Sequence, residues 1–365
     1  MQLDFFPSKT LTVYLAKLFV VRIFAVLVML VLVLLMLDLL TASGKILSVP
    51  GNTQAEVWTY AGLRAPQLVA RFLPYSVLLA TIITLVGLNQ NSEVVAMKAA
   101  GMSAHQVLAP LLLTALVVAL ASFAFNERVV TRATATLKAW DAAGFAAIPE
   151  GSGVRANVYV AEGLDILAAA GVAGEGERTV LTGVTWYRRA PSGAIAEQVR
   201  APRASWTGAG WKLEDAVRFE VASARSTRLG DVIVGRGLTP RQVALGGADP
   251  DALSFRELRR TIADYRAAGR RTAEMESKWW HKLAGPLSAV LMPLLGAVAA
   301  FGLARSGQVF VRAVIGMALG FAYFVVDNAA LAMGNFGGYP PLLAAWAPFV
   351  LFALIGETVL VRTEE

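Results

Sequence analysis

Residues 89–106 read NQNSEVVAMKAAGMSAHQ, a short polar stretch between two long apolar runs. Asn91 or Ser92 can cap the start of a helix, because their side-chain oxygens accept from backbone N–H groups of the first turn. Glu93 then lies in the first turn, where the helix dipole favours an anion, and Gly101 follows the last helical residue as a C-cap. The stretch therefore predicts a helix of about ten residues. A helix this short is marginally stable in water by itself, so it must rest on another surface.

Two interpretations of this short helix stay open on its residues alone. Val94 and Met97 fall on one side, three residues apart. Ala96, Ala99 and Ala100 are small enough to let another surface come close. The helix is either part of a membrane-interface loop or a coupling helix, a cytoplasmic contact through which a separate motor protein moves the membrane part.

The composition places the chain in a membrane. Of its 365 residues, 56% are apolar and 16% are charged, and the mean hydropathy is +0.57. These values are too apolar for an ordinary soluble protein, so we predict a polytopic membrane protein. In that setting, the net charge of +7 favours anionic lipid over nucleic acid as a partner.

Motifs of catalysis and of metal binding are absent from the sequence. Cysteine is missing and His105 and His281 are the only histidines, which excludes disulfides, Cys-ligated metal and a His-rich metal site. The chain also lacks a GxxxxGK[ST] phosphate loop, an HExxH motif and a GxSxG elbow. We predict no catalytic residues, no metal and no cofactor in this chain, so any ATP-driven work must come from another subunit.

The apolar runs predict an α-helical membrane protein with six transmembrane helices. Their approximate limits are 23–40, 68–88, 107–125, 283–303, 309–333 and 342–360. The small residues at 41–43 leave a cleaved signal peptide as an alternative for the first run, although its apolar region would normally be shorter.

The distribution of basic residues predicts the orientation. If both termini lie in the cytoplasm, the short inner segments hold seven basic residues and the short outer segments hold three. The inner set is Lys9, Lys17, Arg22, Lys98, Arg305, Arg312 and Arg362, and the outer set is Lys45, Arg64 and Arg71. This excess predicts cytoplasmic N- and C-termini and places the region between spans three and four outside the cytoplasm.

That region changes in character from about residue 154 to 245. Short stretches rich in Val, Thr, Trp and Tyr alternate with Gly-rich turns, as in residues 154–160, 179–187 and 210–213. The pattern predicts an all-β sandwich or roll, inserted between helices 3 and 4 and outside the bilayer, because lipid cannot satisfy open sheet edges. Ser254 and Glu257 then form a capping-box pattern, which predicts an amphipathic helix leading back to the membrane.

These predictions divide the chain into three parts. Residues 1–150 hold transmembrane helices 1–3, with the short cytoplasmic helix at about 91–101. Residues 151–250 form the β domain. Residues 251–365 hold the amphipathic connecting helix and transmembrane helices 4–6.

Five motifs follow one another between these spans. They are SEVVAMKAAGMS (92–103), LTP (238–240), DPDALSFREL (249–258), WHKLAGPLS (280–288) and GMALGFAYFVVDN (316–328). Together they resemble the lipopolysaccharide export permeases, the LptF/LptG family, over nearly the whole chain. The DPDALS and WxKxxxPLS stretches are more like LptG than LptF.

The resemblance implies a half-transporter permease in the inner membrane of a Gram-negative bacterium, with a periplasmic, jellyroll-like β domain. The partners that it implies are a paralogous LptF-like permease, a dimer of an LptB-like cytoplasmic ATPase that binds the ATP, a single-span LptC-like periplasmic bridging protein, and lipopolysaccharide. Nucleic acid is not among them. Lipopolysaccharide would be extracted from the outer leaflet of the inner membrane and passed along the β domains to the bridge.

Site residues follow as hypotheses from the resemblance and the positions of charge. The residues expected to contact the ATPase are Glu93, Val94, Met97, Lys98 and Gly101. The residues expected to bind substrate are Lys45, Arg128, Arg132, Lys138 and Asp327. The four basic ones lie where lipid phosphates could be met, and Asp327 is an ionisable group inside the fifth span that is either functional or solvated at the interface.

Three other functions stay open from the sequence. One is a permease for another lipid or for a lipoprotein, also driven by an external ATPase. Another is a non-transporting membrane scaffold whose β domain only recruits partners. The third is a membrane-embedded enzyme, for which Asp327 would be the residue to test.

Overall fold

The computed structural model describes residues 7–146, 155–174, 176–246, 249–267, 270–297 and 309–364. Four sequence predictions lie outside these residues: the domain boundary at 150/151, the end of the amphipathic helix near 269, the end of the fourth span near 303, and Arg305. The chain forms two compact units. We call residues 1–37, 67–128 and 271–365 the membrane unit, and residues 38–66 and 129–270 the sheet unit.

Helices make up most of the described chain. In order they are α1 (Lys9–Leu47), α2 (Gln54–Gln90), α3 (Glu93–Ala99), α4 (Ala104–Phe125), α5 (Thr131–Ala142), α6 (Pro240–Gly246), α7 (Phe255–Ala267), α8 (Ala273–Gly296), α9 (Val309–Asn335) and α10 (Pro341–Glu364). A π-helical turn at Asn126–Val130 joins α4 to α5. The helix of the third span therefore continues past its predicted end at residue 125.

Five helical runs in the described chain are long and apolar enough to cross a membrane. They are Lys9–Leu47, Gln54–Gln90, Ala104–Ala142, Ala313–Asn335 and Pro341–Arg362. These runs confirm the first, second, third, fifth and sixth predicted spans. The fourth predicted span corresponds to α8, and its last residues lie beyond the described part.

Glycines set the helix packing of the membrane unit. A Cβ on Gly356 of α10 would lie 2.8 Å from Leu294 of α8, and a Cβ on Gly320 of α9 would overlap Leu78 of α2. Small residues at such crossings let helices approach closely, which matters in lipid because apolar burial alone does not drive helices together.

Arg22 adds a polar contact between α1 and α2 inside the membrane unit. Its Nη1 donates to the backbone carbonyl of Ile83 at 3.0 Å. The guanidinium lies against Gly87, where an added Cβ would be 3.2 Å from Nη2. The glycine therefore leaves the room that this contact needs.

The sheet unit contains six antiparallel strands, each paired with its neighbour in sequence. They are β1 (Arg155–Glu162), β2 (Asp165–Ala173), β3 (Val180–Arg189), β4 (Ile195–Trp206), β5 (Trp211–Glu220) and β6 (Arg225–Val234). The prediction of an all-β domain inserted between helices is confirmed, and the described strands form a simple meander.

The buried face of this sheet holds the core of the sheet unit. Val158, Leu181 and Leu213 are buried on three different strands. Trp211 is fully buried, and its indole Nε1 donates to the carbonyl of Leu238 at 2.8 Å. Since a buried N–H needs an acceptor, this bond fixes the chain that follows β6 against the sheet.

The predicted capping box at the start of α7 is confirmed. The backbone N–H of Ser254 donates to Glu257 Oε2 at 2.9 Å, and the N–H of Glu257 donates to Ser254 Oγ at 3.4 Å. Leu258 and Ile262 are buried on one side of α7, as the amphipathic pattern predicts.

Candidate functional site

α3 carries the residues predicted to contact an ATPase, and it is shorter than the ten residues predicted. Its seven residues run from Glu93 to Ala99. Ser92 takes the N-cap position with a φ of 60°, and its hydroxyl makes no capping hydrogen bond. Of the two predicted cap positions, Asn91 and Ser92, the second is the N-cap, but the predicted capping bond is not made.

Gly101 closes the other end of α3, as predicted. Its φ of 86° is in the left-handed region that glycine adopts without strain. The N–H of Gly101 donates to the carbonyl of Lys98 at 2.9 Å, and the N–H of Met102 donates to that of Met97 at 3.1 Å. This pair of bonds is a Schellman motif, which satisfies the free carbonyls at the helix end.

One side of α3 is committed to the chain's own core. Val94 and Met97 are only 4% and 9% exposed. They belong to the same buried cluster as Leu15 of α1, Leu88 of α2 and Leu108 of α4. These two side chains therefore hold α3 on the membrane unit, and the contact surface left for a partner is the opposite side.

The opposite side of α3 is open. Val95 is 52% exposed, and Lys98 and Ala99 are exposed beside it. Glu93 is half-buried at the edge of this surface, and its Oε2 accepts from the Tyr14 hydroxyl of α1 at 3.2 Å. The Glu93 carboxylate is therefore oriented by α1.

Sequence reasoning missed a second capping box, at the start of α4. Ser103 Oγ accepts from the N–H of Gln106 at 3.2 Å, and Gln106 Oε1 accepts from the N–H of Ser103 at 3.1 Å. The S-x-x-Q spacing is its signal. His105, on the first turn, lies 2.8 Å from Glu357 Oε1 of α10, which joins the start of α4 to the end of the last helix.

Three of the basic residues predicted to meet lipid phosphates are exposed. Lys45 lies in the last turn of α1, Arg128 in the π-helical turn and Arg132 on α5. Within the described residues, none of these three side chains has an acidic partner. Each can therefore accept an anion without first losing an ion pair.

Lys138 differs from the other three. Its Nζ forms an ion pair with Asp249, the first residue of the DPDALS motif. A phosphate would have to displace this carboxylate, so Lys138 is a weaker candidate than Arg132.

Sequence reasoning also missed an ion-pair cluster in the sheet unit. Asp38 of α1 accepts from Arg64 Nε at 3.0 Å, from Arg64 Nη2 at 3.2 Å and from the Tyr60 hydroxyl at 2.8 Å. A bidentate guanidinium neutralises the carboxylate and holds it in one orientation. The negative charge nearest in sequence to Lys45 is thus already compensated.

Asp327 lies inside the membrane unit and not at a solvated interface, so that alternative is wrong. It is 7% exposed, and its Oδ2 lies 3.0 Å from Nε2 of His281 on α8. Its direct contact is therefore an imidazole of the same chain. Among the described residues, no three His, Asp or Glu side chains lie close enough together to hold a metal ion.

Comparisons with known proteins agree over most of the chain. Residues 13–362 match the family described as "Lipopolysaccharide export system permease LptF/LptG". The chain is 26% identical over 313 residues to the lipopolysaccharide export system permease protein LptG of Escherichia coli (strain K12), covering 83% of this chain and 84% of the relative.

A second relative is LptG of Haemophilus influenzae (strain ATCC 51907 / DSM 11121 / KW20 / Rd). It is 24% identical over 320 residues, covering 84% of this chain and 86% of the relative. Both relatives are named as permeases and not as enzymes. The matched range takes in the membrane-spanning helices and the inserted sheet alike, so this integral inner-membrane chain belongs to the LptF/LptG family as a permease subunit of a lipopolysaccharide export system.

Proposed function

We propose that this subunit lifts lipopolysaccharide out of the outer leaflet of the inner membrane and that a cytoplasmic ATPase, docked on α3, drives it. The ATP is bound by that partner, so this chain needs no cofactor. The proposal rests on the two-sided burial of α3, in which Val94 and Met97 anchor the helix while Val95, Lys98 and Ala99 face outward.

A displacement applied to the exposed side of α3 has a route into the membrane unit. Val94 and Met97 share one close-packed core with residues of α1, α2 and α4. Close-packed cores have few voids and low compressibility, so they transmit a displacement and do not absorb it. The hydrogen bond from Tyr14 to Glu93 adds a direct link to α1.

The size of the substrate explains why an external motor is needed. Each methylene that leaves the bilayer costs about 0.8 kcal/mol, so moving several acyl chains into water would cost tens of kcal/mol. An apolar chamber lowers this cost by receiving the chains directly. The exposed face of α1 supports such a chamber, with Phe24, Met29, Leu32 and Met36 lying open.

In this proposal, basic side chains bind the phosphates of the lipopolysaccharide headgroup. Arg132, Arg128 and Lys45 are exposed and can each donate to phosphate oxygens in charge-assisted hydrogen bonds. Lys138 would join them only by exchanging Asp249 for a phosphate.

The remaining subunits and the orientation complete the proposal. An LptF-like permease pairs with this chain, an LptB-like ATPase dimer binds on the cytoplasmic side, and an LptC-like bridging protein receives the lipid beside the sheet. Both termini face the cytoplasm and the sheet faces the periplasm, as the excess of basic residues on the short inner segments favours.

Docking on α3 is tested with Val95→Glu in the complete chain. A buried, unpaired carboxylate at the centre of an interface is strongly unfavourable, so we expect the ATPase to be lost on co-purification. Leu164→Glu is the matched control, because Leu164 is 49% exposed on the turn between β1 and β2. Retention of the ATPase by Val95→Glu would contradict the docking site.

Headgroup binding is tested with Arg132→Glu in complexes reconstituted into vesicles. Hydrogen bonds to charged groups contribute about 1.5–3 kcal/mol, so we expect release of lipopolysaccharide to fall at least about tenfold. Arg228→Glu, at an exposed position on β6, should leave release unchanged. Equal release of phospholipid and lipopolysaccharide by the unmodified complex would point to a different lipid substrate.

A further inference from the structure

α8 and α9 contact each other at two levels along the sides that face each other. The positions are Ser277 and His281 on α8, and Asp327 and Gly334 on α9. They are four residues apart on α8 and seven apart on α9, spacings that keep the side chains of each pair on one face of its helix. The two faces form a seam that runs along both helices.

Two contacts join this seam in antiparallel order. His281 Nε2 lies 3.0 Å from Asp327 Oδ2, and Ser277 lies against Gly334, where an added Cβ would be 2.7 Å from the serine Oγ. A polar contact thus holds one level of the seam and close packing holds the other.

The seam faces the inside of the membrane unit, whereas the other side of α9 is apolar. Tyr323, Asp327 and Ser277 are buried. Exposed apolar residues of α9 form a stripe that includes Val314, Met317, Phe321 and Val325. An ionisable group on such a helix is strongly unfavourable without a partner. Rotating or separating α9 would break the contact with His281, the one side-chain hydrogen bond that Asp327 makes among the described residues.

The surroundings of His281 fit the imidazole closely. Gly285 lies one turn further along α8, where an added Cβ would be 3.3 Å from the ring Cε1. The glycine leaves the ring the space to reach α9. Asn328, next to Asp327, instead returns its amide to the carbonyl of Phe324 on its own helix.

We propose that His281 is a positioning residue that clamps α9 to α8 through Asp327, so that the two helices move as one rigid wall during transport. The inference rests on the proposed function, because the apolar stripe of α9 would then line the route of the acyl chains. It adds that the opening which admits lipid does not form between α8 and α9.

Variants of the His281–Asp327 contact give the first test, in the complete reconstituted complex. Asp327→Ala should lower the lipopolysaccharide released per ATP hydrolysed at least about tenfold, since it leaves the His281 imidazole without its hydrogen-bond partner on α9. The reciprocal exchange His281→Asp with Asp327→His should restore most of the release. Asn328→Ala is the control and should behave as the unmodified chain does. Normal release by Asp327→Ala, or no recovery in the exchange, would overturn the clamp.

A disulfide gives the second test, since the chain has no cysteine of its own. A Cβ on Gly334 would lie 3.4 Å from that of Ser277, close to the separation in a disulfide. Ser277→Cys and Gly334→Cys are combined with Ala344→Gly, which removes the methyl that the new side chain would meet. Oxidation of this cysteine pair should leave the release of lipopolysaccharide unchanged. When Asp327→Ala is added, oxidation should restore the release that this substitution removes. Loss of release on oxidation, with recovery on reduction, would overturn the rigid wall.

The clamp and the proposed function fail in different ways. If the unmodified complex releases no lipopolysaccharide, the proposed function is wrong. The clamp is then measured by thermal unfolding of Asp327→Ala, His281→Ala and the double variant. If the losses of stability of the two single variants do not add up to that of the double variant, the result supports the contact between His281 and Asp327. Additive losses overturn it.

Discussion

The substitution Gly334→Ala tests how tightly the helices of the membrane unit pack. The new methyl would lie under 3.0 Å from the Cβ of Ala344 and 2.7 Å from Ser277 Oγ. Ordinary contact begins near 3.4 Å, so both distances are too short by more than half an ångström. The Ser277 hydroxyl can rotate away, but the Ala344 Cβ is fixed to its backbone, so the helices themselves must move apart.

The expected cost follows from this geometry. Overpacking a close-packed core costs about 1–3 kcal/mol. Alanine is a better helix former than glycine by up to about 1 kcal/mol, but this gain is small at residue 334, one position before the end of α9. We expect net destabilisation of about 1–2 kcal/mol, which lowers the melting temperature by several degrees.

The assay is thermal unfolding of the purified chain in one detergent, at one heating rate. Gly62→Ala is the matched control, because Gly62 is also helical and an added Cβ there would meet nothing within 4 Å. Adding Ala344→Gly to Gly334→Ala removes the shorter contact and should recover much of the loss. A melting temperature of Gly334→Ala at or above that of the unmodified chain would contradict tight packing at Gly334. An equal drop in the melting temperature of Gly62→Ala would contradict it as well.

Three further predictions concern single contacts. Trp211→Phe removes the donor to the carbonyl of Leu238 and should cost about 1–3 kcal/mol in unfolding of the sheet unit; no change would mean that this bond does not hold the chain after β6. Ser103→Ala should cost about 1 kcal/mol by loss of the cap of α4, as judged by the melting temperature, whereas unchanged melting would argue against the cap. Lys212 lowers the pKa of Asp231 through their hydrogen bond, so the pair stabilises at neutral pH and loses its effect as the pH falls through that lowered pKa. The difference in melting temperature between Lys212→Met and the unmodified chain should therefore close on acidification, and a constant difference would contradict the assignment.

Local sequence signals predicted much of the architecture. Apolar runs located the described membrane-crossing helices, because the thickness of the bilayer sets the length of a spanning segment. The glycine at 101 and the S-x-x-E spacing at 254–257 located helix ends, because the caps involve residues within a few positions of one another. The composition predicted the strands that begin near residues 155, 180 and 211. It did not identify β2, β4 and β6, the strands that pair with them, as separate strands.

The site was predicted only in part, because its decisive contacts join distant segments. The spacing of Val94, Val95 and Met97 shows that α3 has two sides, but it does not say which side is buried. Packing against α1, α2 and α4 decides this. Lys138 was predicted to meet lipid phosphate, and the sequence did not reveal its partner Asp249, which lies 111 residues away in the chain.

By itself, the sequence predicted a membrane protein of six spans, five of which the described helices confirm, with an inserted β domain, a short helix in one loop, and a family resemblance carried by five motifs. Only the tertiary structure decided that Val94 and Met97 face inward and that Asp327 pairs with His281, 46 residues earlier. The physical reason is one of range. Hydropathy and capping act within a helix or a turn, whereas the burial of a side chain and the partner of a charge depend on which helices fold against each other.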